Sequence, residues 1–501
     1  MRSPSHHRVL LIPAIAAGLL LGGCAAGPDF TRPDAPTPAD WTQWRGGDEA
    51  LHTPVDTHAL APMWWTQFSD PVLDQLQQRA LAASPDVRTA ALHFAQARTQ
   101  RSSVAAQRGV NVGVSGSAAR QRQSESGAGT RMLDILSNDS DALKQLLAEP
   151  FNLYQAGFDA SWELDLWGRV RRSIEAADAG VEQQAALLDM ARLSVTSEVA
   201  RSYVQMRGAQ RQIQLAREDA AALEERLALL QARVDGGIDD HLDLDRQQAD
   251  LAAVRARLPL LLAEEASAGN QLALLLGEPP GALRTQLAPA QAGTDALPDL
   301  SMGLPSEVAQ RRPDIRAAQA RLHQATASIG VAQADLYPSI RLGAKFGYES
   351  YLSGAFSDWG SRTWSVGPVL NLPLFDHGRR KSVVQLRKLE QQEAAVAYQK
   401  TVLQAWQEID NALNAYAAGK LQREQLRARE QATLDAYRIA QARRDAGLID
   451  FLSVLDARRS YLQTRRDLVD SDTLLRNQFI ALNKALGNAP SSAPDGTKDA
   501  G

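Results

Sequence analysis

The feature that most constrains the fold of this sequence is a proline-free stretch from Arg169 to Asp235. As a single helix it would extend for about 100 Å at ~1.5 Å per residue, so it needs packing partners along its whole length. One heptad position of this stretch is apolar or small throughout: Ile174, Val181, Leu188, Val195, Ser202, Ala209, Ala216, Leu223 and Leu230. Such a seam predicts coiled-coil packing, with small residues in the middle of the helix.

The sequence also contains an internal duplication. Three pairs of glycines mark it at a common offset of 210 residues: Gly168 and Gly378, Gly237 and Gly447, Gly277 and Gly487. An upstream match has an offset of 228 residues, so the first copy carries an insertion, which we place in the polar stretch at about 118–150. Each copy is predicted to run helix, strand, strand, long helix, turn, helix.

Each predicted long helix ends at glycine. Gly236 and Gly237 follow it in the first copy and Gly447 in the second, and glycine readily adopts the left-handed conformation that ends a helix. The chain is then predicted to return as a second helix, which makes each copy a helical hairpin.

The N-terminus has the layout of a bacterial export signal. Arg2 and Arg8 give it a basic start, and the apolar stretch from Val9 to Leu21 is too short to span a membrane. The residues up to Cys24 resemble the lipobox of bacterial lipoproteins, in which the cysteine is acylated and becomes the new N-terminus after cleavage. Cys24 is the only cysteine, so we predict that it is the lipidation site and that the chain forms no internal disulfide.

The predicted organisation has five parts: a signal peptide at 1–23, a lipidated tether at 24–69, a first repeat at 70–300, a second repeat at 301–488 and a disordered tail at 489–501. The first repeat is predicted to contain strands at about 109–118 and 152–166 and hairpin helices at about 168–235 and 238–277. The second is predicted to contain strands at about 338–349 and 362–374 and hairpin helices at about 378–446 and 449–487.

All four predicted strands alternate with a period of two, which gives each an apolar face and a polar face. In the second strand the apolar positions are Tyr154, Ala156, Phe158, Ala160, Trp162 and Leu164, and the residues between them are polar or glycine. A soluble sheet with one solvated face would show the same pattern. The export signal, strand lengths near ~10 residues and aromatic residues toward the strand ends favour membrane strands instead.

Four strands cannot close a barrel, and an open strand edge cannot lie in lipid because its backbone groups would lack hydrogen-bond partners. Closure therefore requires other subunits. Known membrane barrels begin at about eight strands, so a dimer is the minimum. A trimer would give about twelve strands around a water-filled bore lined by the polar faces.

Composition argues against several classes of protein. The formal net charge of −4 gives no basis for nucleic-acid binding. The sequence contains no H-E-x-x-H, G-x-S-x-G or phosphate-loop motif, so we predict no enzyme activity and no cofactor. The acidic stretch at 239–245 is interpreted as a solvated hairpin tip rather than a metal site.

Several segments together resemble the outer-membrane efflux channels of the TolC/OprM family, in particular their NodT-like lipoprotein branch. They are "GPDFTRP" after Cys24, "WWTQFSDPVLDQL" at 64–76, "FDASWELDLWGRVRR" at 158–172, "LPSEVAQRRPDIRAAQARL" at 304–322 and "SVLDARRSYLQ" at 453–463. The resemblance implies a homotrimer with a twelve-stranded barrel in the outer membrane and an α-helical coiled-coil barrel in the periplasm. It also implies two partners, a periplasmic adaptor protein and an inner-membrane transporter of the RND or a similar type.

The resemblance further implies a constriction at the periplasmic end, formed by acidic and apolar residues just after the hairpin turns. These positions fall on Leu452 and Asp456 in the second copy and on Asp243 in the first. Carboxylates repeated by threefold symmetry around a narrow mouth would repel one another and favour cations. Ile449 occupies a place where some relatives have a basic latch residue, so no latch salt bridge is expected.

The predicted function is that of a passive outer-membrane channel in a tripartite efflux system for drugs or other small toxic compounds. The same architecture also fits the outer channel of a type I protein secretion system. A periplasmic coiled-coil scaffold lipoprotein is an alternative of a different class, although a scaffold needs no strands with one dry and one wet face.

Overall fold

The computed structural model describes residues 25–34, 36–41, 43–52, 63–127, 141–238, 240–288 and 303–490. Cys24, the predicted signal peptide, part of the predicted insertion and nearly all of the predicted tail lie outside the described residues. The described chain divides into two compact units. We call residues 25–31, 97–181 and 321–394 the sheet unit, and the described parts of 32–96, 182–320 and 395–490 the helical unit.

Most of the described chain is helical. The helices are α1 (Pro71–Ala83), α2 (Pro85–Ala105), α3 (Asp141–Leu147), α4 (Arg169–Asp235), α5 (His241–Leu275), α6 (Pro305–Arg311), α7 (Pro313–Ala334), α8 (Arg379–Asp445) and α9 (Phe451–Ala485). Proline opens α1, α2, α6 and α7, where its missing N–H is not needed for the helical ladder. Among the described residues, no helix combines the length and apolar composition that a membrane span requires.

The two long hairpins have equal dimensions. Helices α4 and α8 each contain 67 residues, and α5 and α9 each contain 35. Each element of the second pair begins 210 residues after its counterpart in the first, which is the offset of the sequence duplication. Gly168 and Gly378, directly before the long helices, share a left-handed conformation with φ of 77° and 81°. The duplication therefore extends to the backbone conformation at the helix starts.

Helix α4 buries one stripe along nearly its whole length. Of the predicted heptad positions, those buried are Ile174, Leu188, Val195, Ser202, Ala209, Ala216, Leu223 and Leu230. The position four residues on is buried only near the middle of the helix, at Val199, Met206 and Ile213. Two of its other members are charged, Asp178 and Arg192, and Asp178 accepts a hydrogen bond from Arg101 at 2.7 Å.

The sheet unit contains four antiparallel strands in the order of the chain: β1 (Asn111–Gln121), β2 (Phe151–Leu164), β3 (Ser339–Ser350) and β4 (Arg362–Asn371). Strand β1 continues three residues beyond its predicted end at about 118, because the backbone ladder to β2 persists after the apolar alternation stops. Strand β4 ends at Asn371, before the predicted 374, and Pro373 cannot donate a ladder hydrogen bond.

The register places most apolar positions of the sheet on one face, whereas Phe151, Leu153 and Val369 lie on the other. One row across the sheet is Val114, Phe158, Phe346 and Trp364. The opposite face pairs Asp159 with Lys345, and Arg341 approaches Glu163 at 3.3 Å. The sheet therefore has one apolar and one charged face.

The helical unit is organised around Trp64, whose side chain is fully buried. Its ring contacts Trp65, Phe68 and Phe479 in edge-to-face geometry, with centroids 5.8, 6.5 and 6.3 Å away. Aromatic pairs of this kind add stability beyond their buried area.

The segment predicted as an extended tether is docked against the helical unit. The indole N–H of Trp41 donates to the carbonyl of Gly303 at 2.8 Å, and that of Trp406 donates to the carbonyl of Pro36 at 3.0 Å. Arg45 also forms an ion pair with Asp410 at 3.0 Å. Indole rings that bury their carbon atoms and satisfy their N–H groups hold this segment in place, which composition alone did not indicate.

Trp64→Ala is expected to lower the free energy of unfolding of the helical unit by about 3–5 kcal/mol, because it leaves a cavity beneath Phe479. Trp44→Ala is the matched control, since Trp44 is 55% exposed. We expect it to cost less than about 1 kcal/mol. Guanidinium unfolding followed by circular dichroism in detergent measures both, and equal costs would contradict the assigned core.

Candidate functional site

The hairpin tips are closed by the same backbone motif. Gly237 adopts φ +69°, its N–H donates to the carbonyl of Val234 at 2.9 Å, and the N–H of Ile238 donates to that of Arg233 at 2.8 Å. Gly447 adopts φ +74° with the equivalent pair of bonds, both 2.9 Å long. These are Schellman motifs, which terminate a helix through one left-handed residue. The left-handed position is Gly237 rather than Gly236.

Aspartates cap the returning helices. The carboxylate of Asp240 accepts from the N–H of Leu242 at 3.2 Å, and that of Asp450 accepts from the N–H of Ser453 at 2.9 Å. Hydrogen bonds from Ser453 hold the pKa of Asp450 below its usual range. Each tip is therefore a short turn between a glycine stop and an aspartate cap.

The predicted constriction residues lie in the first two turns of the returning helices. Leu452 is half-buried and Asp456 is exposed on α9, whereas Asp243 on α5 lies 3.7 Å from Arg246 of the same helix. At the offset of 210 residues, Asp456 corresponds to Arg246. Asp243 and Asp456 therefore do not occupy equivalent positions in the duplication. Among the described residues, no hydrogen bond joins their carboxyl groups.

A buried ion pair that the sequence analysis missed links α4 to α9. Arg458 donates to Asp219 at 2.9 Å, with side-chain exposures of 8% and 6%, and Arg466 lies 3.7 Å from the same carboxylate. Burial raises the pKa of Asp219, and the two guanidinium groups oppose that rise. The signal was hidden because Arg458 and Arg459 are adjacent in sequence, and only helix rotation decides which one points inward.

Further polar contacts surround this pair. Nη2 of Arg459 donates to both carboxylate oxygens of Asp250 of α5, at 2.5 and 2.6 Å. Arg226 of α4 donates to the hydroxyl of Tyr437 of α8 at 3.2 Å, and the ring of Tyr437 stacks on that of Tyr461 with centroids 6.1 Å apart. Polar contacts therefore join all four hairpin helices above the tips.

The residues that follow Cys24 are fixed against the sheet unit. The N–H of Ala26 donates to the carbonyl of Trp167 at 2.9 Å, and Asp29 forms an ion pair with the buried Arg172 at 2.6 Å. Gly27 adopts φ +92° and packs on Gly330 so closely that a Cβ there would lie 2.4 Å from the Gly330 Cα. Only glycine fits this contact.

The described residues contain no cluster of three or more histidine, cysteine, aspartate or glutamate side chains that could hold a metal ion. Within the acidic segment at the first tip, Asp240 caps the returning helix and Asp243 lies 3.7 Å from Arg246.

Arg458→Ala is expected to lower the free energy of unfolding by about 3–5 kcal/mol, because it leaves the Asp219 carboxylate buried without its partner. Protonation of the Asp219 carboxylate removes its charge and relieves that penalty. Since the pKa of Asp219 is already raised, the loss in free energy of unfolding should be largest at neutral pH. It should shrink as the pH falls toward the unfolded-state pKa of Asp219, about 3.9.

Arg459→Ala is the matched control, since its pair with Asp250 is exposed, and it should cost no more than about 1 kcal/mol. Denaturant unfolding at pH 7.5 and 5 measures both variants. A pH-independent loss for Arg458→Ala would argue against an uncompensated carboxylate.

Comparison with known proteins places this geometry in a family. A model of the family described as "Outer membrane efflux protein" matches residues 76–278 and 304–488, one segment in each copy of the duplication. Outer membrane protein OprJ of Pseudomonas aeruginosa is 31% identical over 484 residues, which cover 95% of each chain. The probable efflux pump outer membrane protein TtgC of Pseudomonas putida is 31% identical over 481 residues, also with 95% of each chain covered.

The solved structure of the outer-membrane channel OprN is similar throughout. It matches with a TM-score of 0.81 and 32% sequence identity, covering 93% of this chain and 99% of that chain. These relatives are outer-membrane channel components rather than enzymes, in agreement with the prediction that this chain is not an enzyme. The resemblance and the outer-membrane localisation that were predicted from the sequence are both confirmed. The chain therefore belongs to the outer membrane efflux protein family.

Proposed function

We propose that this chain is the outer-membrane channel of a tripartite efflux system and that three copies close a twelve-stranded barrel. The exposed apolar face of the sheet carries this proposal. Val114, Phe158, Trp364 and Val366 are between 59% and 76% exposed. A contiguous exposed apolar face on a protein marks contact with a membrane or a partner. Strands of 10–14 residues are long enough to cross a bilayer when tilted.

The two sheet edges support closure by further copies. Strands β1 and β4 each pair with one neighbour only in the described chain. In lipid their free N–H and C=O groups would each cost several kcal/mol, so an open edge is not tolerated there. Pairing β4 of one copy with β1 of the next would satisfy both edges and turn the charged faces, including Asp159 and Lys345, toward a water-filled bore.

The helical hairpins would extend this bore through the periplasm, as a coiled-coil barrel that meets an adaptor protein at the tips. Ile238 and Leu448, which follow the two turn glycines, are 70% and 72% exposed and offer apolar contact positions. An inner-membrane transporter of the RND or a similar type would supply the energy. Acylation of Cys24 would add an anchor in the lipid of the outer membrane.

The constriction is assigned to the second hairpin. Three copies of the exposed Asp456 would form a ring of negative charge beside three copies of Leu452. Asp243 is the weaker candidate because the guanidinium group of Arg246, 3.7 Å away, partly offsets its negative charge.

The proposed substrates are drugs or other small toxic compounds. A wide polar bore selects little, so specificity would lie in the transporter. TtgC, which matches this chain over 95% of both lengths, is named as an efflux pump component, and this favours efflux over type I protein secretion. A scaffold lipoprotein would not need the exposed apolar face of the sheet.

Planar-bilayer recordings test the channel. We expect small, cation-selective conductance from the wild type and a severalfold larger conductance from Leu452→Ala combined with Asp456→Ala, since the double variant removes both the apolar and the charged parts of the constriction. Cation selectivity should also fall.

Asp445→Ala combined with Leu448→Ala is the matched control, because it removes the same two side-chain types from the last residue of α8 and from the turn itself, outside the returning helix. The control should conduct like the wild type. Absence of conductance from all three proteins in folded preparations would refute the channel, and an equal rise in the control would refute only the assignment of the constriction.

A further inference from the structure

The apolar face of the sheet carries charge at two positions only. Side chains alternate between faces, so the register puts Arg120 of β1 and Arg362 of β4 on the side of Val114 and Trp364. Within the four strands, every other residue on this side is apolar, aromatic, small or uncharged polar. Both arginines are exposed.

Both arginines lie at the same end of the sheet. Arg120 is the penultimate residue of β1, and Arg362 is the first residue of β4. The opposite end connects to the helices, since α4 begins five residues after β2 ends at Leu164. The cations are therefore confined to the end farther from the hairpins.

Position on the sheet decides whether such cations are tolerated. An arginine that faces lipid is strongly disfavoured at the bilayer midplane but is tolerated near the interface. Trp359, which is 68% exposed, lies under the guanidinium of Arg362 at 4.2 Å from its ring centroid. Tryptophan is enriched at the headgroup level of membranes. Both observations place this end of the apolar face among lipid headgroups.

The arginines retain donors for a ligand. Arg362 donates through Nη1 to the carbonyl of Trp359 at 2.7 Å, which uses one of its five N–H groups. Arg120 has no ion pair within the portion of the chain that the structure describes, and the strands offer no carboxylate on this face. Arg122, by contrast, is already bound to Glu125 and to the carbonyl of Ala148.

We propose that Arg120 and Arg362 bind the phosphate groups of lipids in the outer leaflet of the outer membrane. This inference rests on the proposed function, because barrel closure would place β4 of one copy beside β1 of the next, with strands about 4.8 Å apart. Two arginines from each of three copies would then form a basic ring around the outer rim, with one of each kind flanking every seam. Planar guanidinium groups suit phosphate because they bind it through paired hydrogen bonds.

The ligand is a lipid rather than free phosphate because the surrounding face is apolar. The apolar face continues below the arginines with Val114, Trp364 and Val366, whose exposed side chains can contact acyl chains. An inorganic anion cannot make such contacts. The site would hold a phosphorylated headgroup by its charge and the chains by apolar contact.

The test compares wild type, Arg120→Gln with Arg362→Gln, and a control with Arg341→Gln and Lys345→Gln, which removes two cations from the charged face. Native mass spectrometry in mild detergent counts bound lipid. Delipidated protein is then titrated with diphosphorylated lipid A, dephosphorylated lipid A and inorganic phosphate. We expect the first variant to bind diphosphorylated lipid A at least about tenfold more weakly than wild type and control, because it loses charge-assisted hydrogen bonds to phosphate.

Arg120→Lys with Arg362→Lys guards against misfolding, because it keeps the charge and should retain part of the binding. Equal binding by wild type and the glutamine variant would overturn the inference. So would equal binding of dephosphorylated lipid A, or binding of inorganic phosphate with no added affinity for lipid. Bilayer conductance of the wild-type preparation reports separately on the channel, so a conducting protein without the lipid preference would overturn the lipid site alone.

Discussion

Backbone hydrogen bonding is the constraint on which the rest of this structure depends. The chain supplies four antiparallel strands, and two of them have an edge with no partner in the described chain. Water could satisfy those edges, but the exposed apolar face argues that the sheet lies in lipid, where water is not available. The proposed channel therefore needs further copies to pair with these edges. The long helices also need partners, but for their side chains rather than their backbone. A helix of 67 residues is stable only when neighbours cover its apolar stripe.

Periodic features could be predicted from the sequence, whereas individual side-chain contacts between distant residues could not. The heptad positions of α4 and the alternation in β2 follow from the geometry of helix and strand, so both were predicted with bounds close to those observed. The docked N-terminal segment was missed because its hold depends on Trp41 and Trp406, which are far apart in sequence. The Asp219–Arg458 pair was missed for a related reason: nothing in "DARRS" distinguishes the inward arginine from the outward one. Of the candidate site, the turn glycines could be predicted from local chemistry, whereas the positions of Leu452, Asp456 and Asp243 came from resemblance.

The duplication repeats the backbone more faithfully than it repeats the side chains. Helix lengths, glycine stops and aspartate caps coincide at the offset of 210 residues. At the same offset Asp456 corresponds to Arg246, and Pro259 inside α5 corresponds to Val469 of α9. Proline lacks the N–H that would donate a helical hydrogen bond, so the two returning helices differ in backbone hydrogen bonding as well as in charge. Two copies of one scaffold have thus acquired different surfaces, as expected when the backbone is fixed by packing and the exposed positions are free to change.

The close contact between Gly27 and Gly330 has a consequence for membrane depth. Cys24 is bonded to Ala25, and consecutive Cα atoms are only about 3.8 Å apart. The chain is already held at Ala26 by Trp167, two residues before the first residue of the long helix. An acyl group on Cys24 would therefore start at a level set by the folded protein and not by a flexible leader. The acyl group would then fix the height of the strand ends relative to the inner leaflet. A larger side chain at position 27 would displace this segment and change that height.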